Sequence, residues 1–219
     1  MSIAKNIRDL LQPSTKESLI ANDPKAKRVG NKFFYLKSDV PVFSPPLDKK
    51  QKVRIMPIPK SGGYFAHHVR VHFGIGPNKE STACPFMRNE KCPACVYARE
   101  LFSSQDKDTK ELAKDYMAKT YHLAYVIDRA NPEKGPQIWS FSTTTLQELH
   151  GLCTDPDDGT HRPIDSIESG FDVYFTKGKE TDKAQYNTIN GIVLSGSSSK
   201  LGDSRELEDS WIEYIVDHP

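Results

Sequence analysis

The sequence lacks the features that mark several common protein classes. It contains no run of 18 apolar residues, so no membrane span is readable, and its start, MSIAKNIRDLLQPSTKES, lacks the long apolar core of a secretion signal. No phosphate-binding glycine loop, paired carboxylates or nucleophile–base pair stands out. We therefore expect a cytoplasmic protein that is not an enzyme.

Cysteine is scarce but concentrated: three of the four cysteines lie within residues 84–95. Thiols of an intracellular protein stay reduced, so disulfides are not expected. In the Cys-Pro-Ala-Cys sequence, two residues between the thiolates let both reach one ion, and an upstream histidine and cysteine complete a tetrahedral set. We predict one structural Zn²⁺ held by His72, Cys84, Cys92 and Cys95, since four protein ligands leave no position for a substrate.

Other interpretations of the cysteines stay open at this point. A redox pair needs a thioredoxin-like context, and a zinc deaminase needs an upstream H-x-E sequence; the chain shows neither. The cysteines could also be simply buried or free. His67 or His68 could replace His72 as ligand, although both lie in the middle of a predicted strand. Cys153 stands alone and is predicted to be a buried apolar residue.

The net charge of +1 conceals an uneven distribution. Residues 1–72 hold 14 Lys and Arg against 5 Asp and Glu, whereas residues 201–219 hold one Arg against 6 acidic residues. A basic body with an acidic end indicates a polyanion-binding surface and a tail that can compete for it. Ordinary solvated faces would produce the same totals, so charge alone does not decide the function.

Hydrophobic alternation predicts a mainly β protein with helical insertions. The pattern favours a small, partly open barrel with an insertion at about 72–119, and a plain antiparallel α+β sandwich is the alternative. We predict an N-terminal helix and basic arm (1–30), a core (31–200) and an acidic tail (201–219). The predicted strands are 52–58, 64–73, 121–128, 137–142, 171–177 and 186–194, and the predicted helices are 2–11, 95–103, 108–119 and 143–152.

Aromatic and basic residues alternate in several stretches, among them NKFFYLK (31–37), GGYFAHHVR (62–70) and FDVYFTKGK (171–179). Single-stranded nucleic acid is bound by rings that stack on bases and cations that contact phosphates. Each ring by itself is more often part of a core, because strands are rich in aromatics. The repeated pairing of ring and cation is what favours nucleic-acid binding.

Most of Lys52–Leu194 resembles one family. The stretch VHFGIGPNKESTACP…KCPAC, with the preceding KVRIMPIP strand, the basic arm and the acidic end, is similar to the zinc-containing single-stranded-DNA-binding (helix-destabilising) proteins of tailed bacteriophages. The resemblance implies an OB-fold, a five-stranded partly open barrel, with a zinc-binding subdomain. It implies coating of single-stranded DNA, with little sequence preference, in replication, recombination and repair. It carries the metal-ligand roles over to His72, Cys84, Cys92 and Cys95.

The resemblance also implies partners. Replication and recombination proteins would bind the acidic tail, and the N-terminal arm would promote self-association on DNA, although only PSTK (13–16) matches the family's basic-hydroxyl motif. The compartment would be the cytoplasm of an infected bacterial host. The DNA-binding residues are predicted from the aromatic and basic residues of the strands themselves. They are Arg54, Tyr64, Arg70, Tyr121, Trp139, Tyr174 and Lys177.

A second function class fits the same residues. A zinc-bearing interaction or transcription module would use the cysteine cluster as an adaptor surface for a protein partner or for duplex DNA. Duplex preference, or a protein partner together with no affinity for oligo-dT, would distinguish this class from a single-strand coat.

Overall fold

The structure is a computed structural model that describes residues 13–21, 40–59, 64–75, 80–179 and 188–217. These residues divide into two compact units. The core unit comprises the described residues of 13–66 and 123–217, and the insertion unit comprises those of 67–122. The predicted helix at 2–11 and the aromatic-basic stretch at 31–37 lie outside the described residues.

The chain is mainly antiparallel β sheet with several helices, as predicted at that level. Most predicted elements are confirmed within a few residues, but the second strand begins at His67 rather than Tyr64, and the short third strand was not predicted. The strands are β1 (Lys50–Ile55), β2 (His67–Ile75), β3 (Glu80–Ala83), β4 (Lys119–Asp128), β5 (Pro136–Phe141), β6 (Asp172–Gly178) and β7 (Thr188–Leu194). The α-helices are α1 (Lys16–Ala21), α2 (Pro93–Phe102), α3 (Lys107–Tyr116), α4 (Thr143–Leu152) and α5 (Arg205–Asp217). None of the helices described is both long and apolar enough to span a bilayer.

The core unit contains a sheet in the order β4-β1-β6-β7, and β5 also pairs with β4. The antiparallel register places Ile55 opposite Val126 and Lys52 opposite Tyr174. Consecutive residues of a strand point to opposite faces, so β4 can supply two separate cores. Val126 lies in one buried cluster with Trp139 of β5, and Ile127 lies in a second cluster. Both faces of β4 are therefore covered.

The two faces are covered by helices from distant parts of the chain. Leu146 and Leu149 of α4 pack into the first cluster, and Trp211 and Ile215 of α5 pack into the second. The α5 side chains recur at helical spacing, which gives the helix one apolar stripe. The segment predicted as an acidic tail is thus folded into the core unit over the range 205–217.

Part of the predicted arm is also folded. Leu19 of α1 is buried in the first cluster, and the backbone N–H of Ser14 donates to the Asp165 carboxylate at 2.9 Å. Asp165 is fully buried, and burial raises the pKa of its carboxyl to about 6. Ser14 and Leu19 are anchored in this way, and residues 16–21 form a short helix within the segment that was predicted as a basic arm.

The insertion unit has a much smaller core. Its buried cluster consists of Cys84, Met87, Cys92 and Ala118. Strand β2 pairs with β3 through a register shift between His72 and Ile75, and Gly74 there has a φ of +65°. Positive φ is readily adopted only by glycine, so this residue permits the bulge. Helices α2 and α3 follow, and the chain then enters β4.

Candidate metal centre and cationic surface

The four predicted metal ligands lie together in the insertion unit. The ligand atoms of His72, Cys84, Cys92 and Cys95 are all within 4.8 Å of one another. The Nε2 atom of His72 lies 3.2 Å from the sulfur of Cys92 and 3.5 Å from that of Cys95. A tetrahedral ion with bonds of about 2.0–2.3 Å separates its ligand atoms by about 3.5–3.8 Å. The group can therefore hold a metal ion.

Local structure explains how distant residues reach this point. His72 is buried on β2, and Cys84 ends the β2–β3 hairpin, where its N–H donates to the Arg70 carbonyl at 2.8 Å. Cys92 is the N-cap of α2 and Cys95 lies in its first turn. Proline at the first helical position fixes the backbone there, because its φ suits a helix and it needs no hydrogen bond. The helix start thus turns both thiols towards one point.

The hydrogen bond made by His72 determines which ring nitrogen faces the sulfurs. Its Nδ1 atom lies 3.0 Å from the carbonyl oxygen of Tyr116. A carbonyl only accepts, so Nδ1 carries the proton and donates, which leaves the Nε2 lone pair directed at the cysteines. Burial, partly opposed by the hydrogen bond to Tyr116, lowers the pKa of His72 and favours the neutral ring that a metal requires.

The thiols do not share one electrostatic environment. Burial raises the pKa of the Cys84 thiol to about 12, so without a bound cation this thiol would stay protonated at neutral pH. At Cys92 burial acts in the same direction, but hydrogen bonds from the N–H of Cys95 and other groups outweigh it and lower the pKa. A bound cation stabilises thiolates, so it would offset the cost of ionising Cys84 in this buried position.

A cation already stands at the edge of the group. The Nη2 atom of Arg70 lies 4.0 Å from the Cys95 sulfur, and its guanidinium lies 5.8 Å from the centre of the Phe86 ring. Three thiolates and a divalent ion would leave one net negative charge, which Arg70 would partly balance.

In the described part of the chain the ligand group includes His72 and neither His67 nor His68, which resolves the alternative left open by the sequence.

The core unit carries a separate cationic surface on the paired strands β1 and β6. The Nζ atoms of Lys50 and Lys52 lie 4.7 and 5.5 Å from the centre of the Tyr174 ring. The ring is half-buried. Ammonium groups at this distance from an aromatic face are attracted by its quadrupole. We call Lys50, Lys52 and Tyr174 the Tyr174 patch.

A buried carboxylate holds one of these lysines in place. Asp172 lies 3.1 Å from Lys52 Nζ and 2.8 Å from Arg129 Nε. The hydrogen bond to Asp172 raises the pKa of Lys52. Burial opposes ionisation of Asp172, but the hydrogen bonds and charges of Arg129 and Lys52 outweigh it and lower the pKa of this carboxyl. The lysine is therefore positioned and charged at neutral pH.

A cleft of about 640 Å³ continues this cationic character on the core unit. Lys49, Lys50 and Lys134 line it together with an apolar segment at 41–46, and Asp128 is its carboxylate. Both carboxylate oxygens of Asp128 already accept hydrogen bonds, from the Ala130 N–H and the Asn131 side chain. The cleft therefore presents an excess of positive charge.

Three of the predicted DNA-binding residues are structural instead. Arg54 is fully buried and donates to the carbonyl oxygens of Ile164 and Ser166. Trp139 is 1% exposed and stacks on Phe175 with centroids 4.7 Å apart. The Tyr64 hydroxyl is 2.8 Å from His150 Nε2, in a buried aromatic group. None of the three has a surface open to a base, because each of these side chains is buried.

The other four predicted DNA-binding residues, Arg70, Tyr121, Tyr174 and Lys177, are partly exposed. The sequence analysis missed residues that stand beside them, among them Lys50, Phe73 and Lys119. Phe73 ends the strand predicted at 64–73 and is 41% exposed. Its position directly after a metal ligand was the available signal, since neighbours along a strand point to opposite faces.

Comparison with known proteins does not assign the chain to a family. No family model matches it, and neither does any curated protein.

Proposed function

We propose that this protein binds single-stranded DNA, as a coat rather than as an enzyme and with little sequence preference. The observation that carries the proposal is the Tyr174 patch, in which two lysines flank a half-buried ring on the paired strands β1 and β6. Unpaired bases offer a flat face to such a ring, and their phosphates offer negative charge to the ammonium groups. Recognition of this kind involves no base edges and is tolerant of sequence.

The ion of the metal centre is proposed to be Zn²⁺. Three thiolates and one imidazole form a soft donor set with tetrahedral spacing, which is typical of structural zinc. Zinc bound there would supply folding energy and no reaction, because four protein ligands complete its coordination. The residues present fit this group, since His72 already directs its unprotonated nitrogen at the three sulfurs.

The finer family assignment remains a proposal. An OB-fold core, phage origin, a role in replication, recombination and repair, and residence in the cytoplasm of the host all rest on the residues of the zinc cluster and its flanking strands. The open antiparallel sheet of the core unit is compatible with such a core. Self-association on DNA is proposed for the N-terminal arm, of which residues 13–21 are described, including the PSTK motif, whose Ser14 is hydrogen-bonded to Asp165.

Recruitment of replication and recombination proteins is proposed for helix α5 rather than for a free tail. Its Trp211 side is buried, whereas Glu206, Glu213 and Asp217 are exposed. These three carboxylates recur at helical spacing and form one acidic stripe. Removal of the whole segment would expose the second cluster of the core, so charge reversal at these positions is the cleaner test.

The function is tested by fluorescence anisotropy of labelled oligo-dT at two salt concentrations, with a duplex of equal length as control. We expect tight binding of oligo-dT that weakens steeply with salt, and weaker binding of duplex. Tyr174→Ala should weaken binding about tenfold, within the range for one stacked base. Phe102→Ala, which removes an exposed ring from α2, serves as the matched control. A wild-type protein that ignores oligo-dT at low salt would contradict the proposal.

A zinc-bearing interaction module is the second candidate, and one observation favours it. Helices α2 and α3 and the residue after them expose Tyr97, Phe102, Leu112 and Met117. Exposed apolar side chains on neighbouring helices are frequent at protein interfaces. Duplex preference, or a protein partner bound through this helix pair together with indifference to oligo-dT, would support this function instead.

A further inference from the structure

Exposed aromatic side chains are unevenly distributed over the described residues. The large hydrophobic side chains with more than a third of their surface exposed include four aromatic rings, and all four belong to the insertion unit. The rings are Phe73, Phe86, Tyr97 and Phe102. Among its described residues the core unit has no ring this exposed, although Tyr174 is half-buried, so the strongly exposed rings are concentrated in the insertion unit.

Phe73 differs from the other three because it stands within a strand. It follows His72 on β2, and the two side chains point to opposite faces. His72 is 1% exposed and faces the sulfurs, whereas Phe73 is 41% exposed. The ring thus keeps about two-fifths of its surface open to a ligand.

Phe73 has two neighbours on the adjacent strand β4. The ring of Tyr121 meets it edge to face, with centroids 5.9 Å apart and planes at 76°. The Nζ atom of Lys119 lies 5.8 Å from the centre of the Phe73 ring. Two rings and an ammonium group therefore form one partly exposed cluster, which we call the Phe73 cluster.

Charge on these strands points to one kind of occupant. Strand β2 and the first four residues of β4 contain Arg70 and Lys119 and no carboxylate. A surface that binds an apolar partner does not need an excess of positive charge. Single-stranded nucleic acid matches both features, because its bases stack on the rings and its phosphates contact the cations. The His72–Tyr116 hydrogen bond ties β2 to the segment entering β4, so the cluster is held in place before any ligand arrives.

We propose that the Phe73 cluster is a second stacking site for single-stranded DNA, distinct from the Tyr174 patch and located on the metal-bearing unit. One base stacks on Phe73 with Tyr121 at its edge, and Lys119 contacts a phosphate. The assignment rests on the proposed function, and it makes the insertion unit a binding element rather than only a zinc-stabilised insertion.

The test compares variants in the oligo-dT anisotropy assay, with metal content and melting temperature recorded for each. Phe73→Ala should weaken binding about tenfold, and Phe73→Trp, which keeps a ring, should restore most of the affinity. Lys119→Ala should reduce the slope of log affinity against log salt by about 0.7, the value for one single-strand phosphate. Phe102→Ala, an exposed ring of the same unit outside the cluster, should bind like wild type.

The outcomes distinguish failure of the second stacking site from failure of the proposed function. If Tyr174→Ala weakens binding but Phe73→Ala and Lys119→Ala do not, the second site is wrong and the function stands. If wild type ignores oligo-dT, both are wrong. If Phe73→Ala fails to fold, the second site is tested by photocrosslinking the wild-type protein to an iododeoxyuridine oligomer. Crosslinks at Phe73 or Tyr121 would support the site. Crosslinks confined to the core unit would overturn it.

Discussion

The core unit and the insertion unit are stabilised in different ways. The core unit buries large apolar side chains on both faces of a sheet, including Trp139, Phe175 and Trp211. The buried cluster of the insertion unit is instead made of two cysteines, one methionine and one alanine. Apolar burial contributes roughly 25 cal/mol per Å², so the small side chains of the insertion unit supply little. We therefore expect a metal ion at the His72, Cys84, Cys92 and Cys95 group, if it is bound there, to supply stability that a hydrophobic core supplies in the core unit.

The largest expected effect comes from removing one ligand. Cys92→Ser should abolish metal binding and unfold residues 80–118 while the core unit stays folded, because structural zinc contributes on the order of 10 kcal/mol. Metal analysis and hydrogen exchange resolved by region measure this. Cys153→Ala, a buried cysteine of the core unit, is the control and should keep its metal. Equal hydrogen exchange of the insertion unit in Cys92→Ser and Cys153→Ala would show that this unit folds without metal.

The next effect is confined to the core unit. Trp211→Ala should lower the free energy of unfolding of this unit by about 3–5 kcal/mol, because it leaves a cavity beneath α5. Urea denaturation followed by far-ultraviolet circular dichroism measures the change, and metal content should not change. Loss of metal in this variant would mean that the two units do not fold independently.

A smaller effect depends on pH. Burial raises the pKa of Asp165 to about 6, above the value near 4 of an unfolded chain. The stabilisation linked to protonated Asp165 is therefore fully present below about pH 4 and is lost as the pH rises through about 6, a change of roughly 2–3 kcal/mol by pH 7. Urea titrations of wild type and Asp165→Asn between pH 4 and 7 test this.

Asp165→Asn cannot ionise, so its core unit should lack this pH dependence. The two proteins are compared by hydrogen exchange of core-unit amides only. Acid also displaces metal from thiolates in the insertion unit, and this restriction keeps that effect out of the measurement. Parallel pH profiles for the two proteins would count against a buried, partly neutral Asp165.

The smallest effect concerns one glycine in each unit. Gly74 has a φ of +65° with open space around its Cβ position, so Gly74→Ala should cost about 1 kcal/mol through backbone strain alone and weaken metal retention in a chelator competition. Gly151 also has open space but lies within α4, at ordinary φ. Gly151→Ala should be neutral or stabilising by up to about 1 kcal/mol. A neutral Gly74→Ala would show that the bulge does not position His72.

Much of the metal site was predictable because its chemistry is local. The Cys-x-x-Cys spacing brings two thiols to one helix start, and cysteine and histidine are the residues that bind soft ions. The cationic surface was less predictable. Arg54 and Trp139 alternate with their neighbours in the same way as Tyr174 does, but other parts of the chain cover them: residues 164–166 contact Arg54, and Phe175 stacks on Trp139.

The sequence by itself determined the ligand types, the positions of most strands and helices, and the amphipathic spacing of Trp211, Ile212 and Ile215. These properties depend on side-chain chemistry and on the period of the backbone, which neighbouring residues specify. Only the tertiary structure decided which rings are open. Strand alternation separates two faces but does not say which is covered, and that depended on α4, α5 and the sparsely packed insertion unit, where Phe73 stays exposed.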